Sequence, residues 1–307
     1  MNIQDAIDEK ELVKIREVYW GSNSKVLKCL DDMTSSLPSI SELISLLNGR
    51  YNDGRWNSGM SVSINASRVN LDSTIENLTN IPIYDAINFF NRGYTLCFND
   101  VSHFTPDLKC LKDSGISCFG GGDKALITCY LTPPRSFGIL HYDRQHNFFI
   151  QREGKKKWTV SEQAAVESPF ENLVYPKVTK EFFASMDQQG YQILRPSQCG
   201  KVHYELYPND VLYLPPGFYH VAETEEESSL HFTLTLEPLS FWSEINPHIF
   251  STLISKCKNM NKDIRMLSHE DAKQHIHDCL IELRGSLTED ITEGLMKTHK
   301  SNQSPKS

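Results

Sequence analysis

Long apolar runs are missing from this 307-residue chain. None approaches the roughly 18 residues that would cross a bilayer, so no membrane segment is expected. The N-terminal stretch MNIQDAIDEKELVK is polar and acidic, which argues against a signal peptide. Excess positive charge is missing too. The formal net charge is −8, which disfavours a broad nucleic-acid-binding surface and leaves room only for a local basic groove. The eight cysteines (Cys29, Cys97, Cys110, Cys118, Cys129, Cys199, Cys257 and Cys279) form no CxxC pair, and several sit inside apolar runs. That argues against a disulfide framework and for reduced core thiols in a cytoplasmic protein. There is no internal repeat and no long low-complexity segment; only the last seven residues, SNQSPKS (301–307), read as a disordered tail. The segment GGGD at 120–123 lacks the strand–loop–helix context and the Lys-Ser/Thr of a phosphate loop, and reads as a turn.

What is present divides into three regions. Residues 1–92 form a mixed, mainly helical extension. SISELISLLNG opens on a capping box of Ser39 and Glu42 and is expected to stop at Asn48-Gly49. IPIYDAINFFNRG has helical spacing and ends at Gly93, and TPDLKCLKDSG, just beyond this region, places Thr105 as an N-cap before Pro106. Residues 93–241 change rhythm. The short β-rich runs GYTLCF, ALITCYLT, NFFIQREG, KKWTV, VLYLPPG and LHFTLTL, separated by turn residues, predict an antiparallel sandwich or barrel. Residues 242–300 return to helical spacing, with Ala272, Ile276, Cys279, Leu280 and Leu283 on one face and Leu287, Ile291 and Leu295 on another; this region could pack on the barrel or form a dimer seam.

The chemistry concentrates in HYDRQHNFFIQREGKKKW, residues 141–158. On an extended strand His141 and Asp143 point to the same side, so an imidazole and a carboxylate converge without special backbone geometry. His220 follows far along the chain, at the end of LYLPPGFYH. Two histidines and one carboxylate on one face of a metal leave three positions open, the arrangement of non-haem Fe(II) oxygenases. Strand parity places Lys156 with Trp158 on one face and Lys155 with Lys157 on the other, and a lysine pointing inward needs an anionic partner. The reading here is a hairpin with a metal at one end and a carboxylate-bearing co-substrate held at the other. The plainer alternative for HxD is a structural histidine bonded to an aspartate.

That run, with YLTPPRSFGILHYD, NDVLYLPPGFYHVAET and SSLHFTLT, closely resembles the Jumonji-C-type cupin oxygenases over about residues 83–242. His141-Tyr142-Asp143 and Asn147-Phe148-Phe149 resemble the asparaginyl hydroxylase of hypoxia-inducible factor, and the longer ordered set resembles the ribosomal oxygenases. The resemblance implies a mostly β chain with helical flanks, built on a double-stranded β-helix (cupin, jelly-roll) core. It implies Fe(II), 2-oxoglutarate and O2, with His141, Asp143 and His220 as iron ligands. Lys156 takes the position that pairs with the 2-oxoglutarate C5 carboxylate, Tyr130 supports the same carboxylate, and Thr235 lies near the co-substrate. Asn147 matches an asparagine of the asparaginyl hydroxylase. The implied reaction hydroxylates a side chain of a protein or peptide, with succinate and CO2 as co-products, and the C-terminal helices make a homodimer. The chain ends sooner after those helices than the winged-helix domain of the ribosomal enzymes would require, which puts a ribosomal substrate in question and not the chemistry.

Other residues have competing readings. His203 is the rival third ligand, in a lid. His146 reads as a support to the ligands or a surface residue. His231, Thr233 and Thr235 alternate onto one face of LHFTLTL and suit either a co-substrate pocket or a hydrogen-bonded core. Arg144, Gln145 and Arg152 read as surface or strand-edge residues with substrate contact as the alternative. ETEEES (223–228) reads as a solvated hairpin tip, and His269, His275, His277 and Cys279 as packing residues with loosely zinc-like spacing. The long connection 176–205 is expected to shape substrate entry. Two rival functions stand beside hydroxylation: N-methyl-lysine demethylation by the same chemistry, and a non-catalytic cupin that binds metal or ligand.

Overall fold

The β-rich runs of the middle region become strands that step back and forth between two sheets. In a computed structural model of the chain, the residues described are 1–30, 33–52, 62–65, 83–120, 125–175, 182–184, 186, 192–238 and scattered positions between 268 and 281. The strands are β1 (Lys25–Lys28), β2 (Val62–Asn65), β3 (Thr95–Phe98), β4 (Leu126–Thr132), β5 (His141–Tyr142), β6 (His146–Glu153), β7 (Lys156–Val160), β8 (Leu173–Val174), β9 (Val202–Leu206), β10 (Asp210–Leu214), β11 (His220–Glu223) and β12 (Ser229–Leu236). The large sheet runs β1-β10-β6-β12-β4-β3-β2 and the small one β8-β5-β11-β7-β9, with antiparallel pairing throughout. From β4 to β7, and again from β9 to β12, consecutive strands alternate between the sheets. That winding is the expected double-stranded β-helix.

The alternation corrects the expected hairpin at 141–158. β6 pairs with β10 and β12, whereas β7 pairs with β11 and β9, so the two strands face each other across the sandwich. ETEEES is likewise no hairpin tip: β11 and β12 lie in different sheets, and the crossover between them is held by ion pairs from Glu225 to Lys155 and Lys157, and from Glu226 to Arg135.

Period-two alternation gives the large sheet two unlike faces. Ile127, Cys129 and Leu131 of β4, Phe148 and Ile150 of β6, Val211 and Tyr213 of β10, and Leu230, Phe232, Leu234 and Leu236 of β12 point outward into the main apolar core. The N-terminal region covers that face with α1 (Ile3–Ala6), α2 (Glu9–Lys14), a π-turn (Ile15–Tyr19) and α3 (Ile40–Asn52), followed by α4 (Ile83–Asn91) and α5 (Pro106–Phe119). Burial on both faces explains why six consecutive residues of β6 are buried. The intervening residues point into the gap between the sheets. An apolar plug that includes Phe149, Trp158, Val160, Leu206, Leu212, Leu214 and Phe218 fills part of that gap. The rest is polar, and it becomes the site.

Local signals held in several places. Ser39 Oγ accepts from the Glu42 N–H (3.2 Å) and the Glu42 carboxylate accepts from the Ser39 N–H (2.8 Å), closing the capping box. Thr105 caps α5 by accepting from the Leu108 N–H, with Pro106 in the first turn. Helix α3, however, continues past Gly49 to Asn52: an interior glycine costs about 1 kcal/mol and does not by itself stop a helix.

Residues Met1–Glu237 make one compact unit and Pro238–Ser307 a second. The stretch before residue 93 therefore belongs with the strands it covers, and β1 extends their sheet beside β10. Apart from isolated helical positions near 270–281, the apolar faces read in 242–300 lie outside the described residues, as do His269, Cys279 and Gly121–Asp123. Among the described residues six cysteines are free thiols; five are buried and Cys110 is exposed. Among the described residues no helix is long and apolar enough to cross a membrane.

Candidate active site

β5 and β11 lie side by side in the small sheet with His141 directly opposite His220. The register turns two histidines almost eighty positions apart into neighbours, their ring centroids 4.1 Å apart. Asp143 leaves the end of β5, and its carbonyl accepts from the Gly217 N–H of the PPG turn (2.8 Å), tying the two ligand-bearing segments together. One donor atom from each of His141, Asp143 and His220 lies within 4.8 Å of the others.

Each histidine is oriented from behind. His141 Nδ1 lies 2.7 Å from the Ile139 carbonyl and His220 Nδ1 3.0 Å from the Phe218 carbonyl. A carbonyl can only accept, so both Nδ1 atoms carry the proton and both Nε2 lone pairs are left for a metal. His220 is buried, and that burial, with His141 beside it, pulls its pKa down to about 4 against the opposing pull of Asp143. It is therefore neutral near pH 7, the form that ligates. Asp143 Oδ2 accepts from Asn147 Nδ2 (2.8 Å), and Asn147 Oδ1 accepts from the Thr235 hydroxyl (2.8 Å). This chain runs from the large sheet and fixes the carboxylate from the far side of the gap.

A cavity of about 320 Å3 opens beside the three groups. Tyr130, Asn147, Lys156 and Thr235 line it together with His141, Asp143 and His220, so all seven residues singled out in the sequence border one space. Lys156 is buried, as parity on β7 predicts. Its ammonium donates to Thr132 Oγ1 (2.8 Å) and lies 3.3 Å from His231 Nδ1; neither partner is anionic. Burial depresses its pKa to about 7, against the opposing effect of the Cys97 and Cys129 thiols.

His231, Thr233 and Thr235 all line the cavity, and His231 and Thr235 are also hydrogen-bonded, to Lys156 and Asn147. Thr132, Thr95 and Asn172 also line it and were not singled out in the sequence. Thr132 carried a signal: it lies two residues from Tyr130 on β4 and shares its face. His203 stays outside the metal group; it is exposed on β9, with Nδ1 3.0 Å from the Thr159 hydroxyl. His146 neither supports the ligands nor reaches the surface. It is buried on the outer face of β6, stacked on Trp20 at 4.0 Å and bonded to the Tyr213 hydroxyl. Arg152 holds the Leu37 carbonyl, a structural role. Arg144 and Gln145 both bond to Glu237 Oε1, and Gln145 lines the cavity. In the long connection, Phe183, Ile193 and Cys199 pack with Tyr142 and Tyr219 in a separate apolar cluster. Among the described residues of the wider connection, Asn172 and Val174 line the cavity, upstream of the expected segment.

Residues 102–242 match the JmjC domain. Human ribosomal oxygenase 1 is 32% identical over 146 residues, covering 47% of this chain and 21% of that protein. The bifunctional lysine-specific demethylase and histidyl-hydroxylase NO66 of Culex quinquefasciatus is 28% identical over 148 residues, covering 48% and 21%. The chain thus spans about a fifth of the length of these curated relatives. Among solved structures, Escherichia coli YcfD superposes with a TM-score of 0.51 at 14% identity, covering 96% of this chain and 71% of that one, which supports the fold. The chain is thus similar over residues 102–242, a little under half its length, to the JmjC domain, and over much the same stretch to the ribosomal oxygenases.

Proposed function

We propose that the chain is an Fe(II)- and 2-oxoglutarate-dependent dioxygenase that hydroxylates a side chain of a protein or peptide substrate, releasing succinate and CO2. The observation that carries this reading is one cavity bordered by a His-Asp-His set and by a buried lysine that has no anionic partner among the described residues. The donor set fits Fe(II): two imidazoles and a carboxylate on one face, with room for further ligands. The cavity fits a small dicarboxylate, with Lys156 to receive its distal end.

Bound at His141, Asp143 and His220, the iron supplies O2 activation coupled to oxidative decarboxylation of 2-oxoglutarate. The chain's own part is positioning. The Ile139 and Phe218 carbonyls aim the two imidazoles, and Asn147 aims the carboxylate. Lys156 and Tyr130 hold the distal carboxylate, and Phe149 and Trp158 wall the cavity with apolar surface. Gln145, braced by Glu237, and Asn172 border the cavity where substrate enters.

Ribosomal proteins are the first substrates to test, given the names of the relatives. Demethylation of N-methyl-lysine is the second reading, because the NO66 relatives are named for both activities; release of formaldehyde separates it from hydroxylation. A homodimer through residues 242–300 belongs to this reading by resemblance, as does a cytoplasmic location, which the free thiols suit.

The test is anaerobic addition of Fe(II) and 2-oxoglutarate. The wild-type protein should develop the weak visible charge-transfer band of a chelated keto acid. Lys156→Ala should need at least about tenfold more 2-oxoglutarate to reach it, the loss of one charge-assisted contact. Asp143→Ala should abolish turnover. Folded, iron-loaded wild-type protein without band or 2-oxoglutarate binding would instead make the chain a non-catalytic cupin.

A further inference from the structure

Lys156 carries three N–H donors on its ammonium. One goes to Thr132 Oγ1 at 2.8 Å and a second faces His231 Nδ1 at 3.3 Å. The third is left for the cavity that Lys156 lines. The direction of that third bond is set by the other two, so whatever fixes the His231 ring also aims the lysine.

His231 is held on several sides. It is buried on β12, opposite Tyr130 in the strand register. Its ring lies parallel to the Tyr130 ring, with centroids 4.8 Å apart and planes within 3°. Phe149 and Trp158 meet it edge-on at 6.0 and 5.7 Å. Burial and the neighbouring lysine drive its pKa well below the ordinary histidine value, so the ring is neutral. A neutral imidazole beside an ammonium can offer only a lone pair there, which puts its proton on Nε2.

We infer that His231 is a positioning residue for co-substrate recognition: its Nδ1 lone pair, locked by the Tyr130 stack, accepts from Lys156 and turns the remaining lysine donor toward the distal carboxylate of the co-substrate. A second cation at this place would repel the lysine, and an apolar residue would leave the ammonium free to rotate. A neutral acceptor on a stacked ring does neither. The inference rests on the 2-oxoglutarate reading above and adds to it a group that acts through the lysine.

The decisive experiment uses calorimetry on the full chain loaded with Mn(II), so that no turnover is needed. His231→Phe keeps a flat ring for the Tyr130 stack and removes the acceptor; His231→Asn restores an acceptor at the position of Nδ1. We expect His231→Phe to weaken 2-oxoglutarate binding about tenfold and His231→Asn to recover most of it. Pyruvate, which has the keto-acid end and no distal carboxylate, should bind both variants as it binds wild type. Equal weakening of pyruvate and 2-oxoglutarate would reduce His231 to a structural residue and overturn the inference, as would unchanged 2-oxoglutarate binding. Wild-type protein that binds neither ligand would sink the co-substrate reading itself. Nitrogen NMR of the wild-type imidazole supplies a check that needs no variant to fold: a proton on Nδ1 rules the inference out.

Discussion

Asp143 supplies the carboxylate of the group that could hold a metal, and one of its oxygens is held by Asn147, which is held in turn by Thr235. Outer contacts of this kind are worth roughly 10- to 100-fold in metal affinity. Asn147→Ala should therefore weaken Co(II) or Fe(II) binding by about tenfold in a direct titration while leaving the fold intact. At the other group, pH decides the charge. Lys156 is surrounded by Thr132 and Tyr130 of β4, Cys97 of β3, Cys129, and His231 of β12, with no carboxylate among the described neighbours. Burial brings its pKa to about 7, so it is charged below that pH and neutral above it. A dicarboxylate favours the charged form. Affinity for 2-oxoglutarate should be greatest below about pH 7 and fall as pH rises, by up to about tenfold per unit. Lys156→Arg, which stays charged, should flatten that profile in the same binding assay.

At the scale of elements, the turn between β6 and β7 carries the most risk. Gly154 has φ +65°, and a Cβ there would lie 2.0 Å from the Ser228 carbonyl oxygen. Gly154→Ala should cost more than about 1 kcal/mol in urea denaturation. Lys156 follows two residues later, so 2-oxoglutarate affinity should fall as well. This turn also shows where local reading stops. NFFIQREGKKKW has the strand, glycine turn and strand of a hairpin, and the strands and turn are present. Which sheet each strand joins depends on β10, β11 and β12, more than fifty residues downstream. His146 is a different failure. Parity places it with Phe148 and Ile150 on the outer face of β6, but its neighbours in sequence, Asp143 and Asn147, drew it toward the metal. The signal was there, and the face it points to was not known to be apolar until Trp20 was seen stacked on it.

Over the whole molecule, the large sheet separates stability from chemistry by its two faces. The outer face, with the N-terminal helices on it, is apolar, and the inner face presents Tyr130, Thr132, Asn147, His231, Thr233 and Thr235 to the cavity. Phe148, fully buried on the outer face between Phe119 and Tyr213, belongs to the first set. Phe148→Ala should cost about 3–5 kcal/mol in chemical denaturation. Below its melting temperature, 2-oxoglutarate affinity should stay within about threefold of wild type, since the Phe148 side chain lies on the outer face and does not line the cavity.

The sequence by itself determined the six strands of the β-rich runs, two helix caps and the inward parity of Lys156, because each depends on a backbone period of two or 3.6 residues and on neighbours within a few positions. The motif order also named seven of the residues that border the cavity. Only the tertiary structure decided that His220 lies opposite His141, that Thr235 reaches Asp143 through Asn147, and that His231 faces Lys156. Those pairings join residues brought together by winding the chain between two sheets. No local period encodes such a partner; the partner is set by which strands lie side by side and which face each other across the gap.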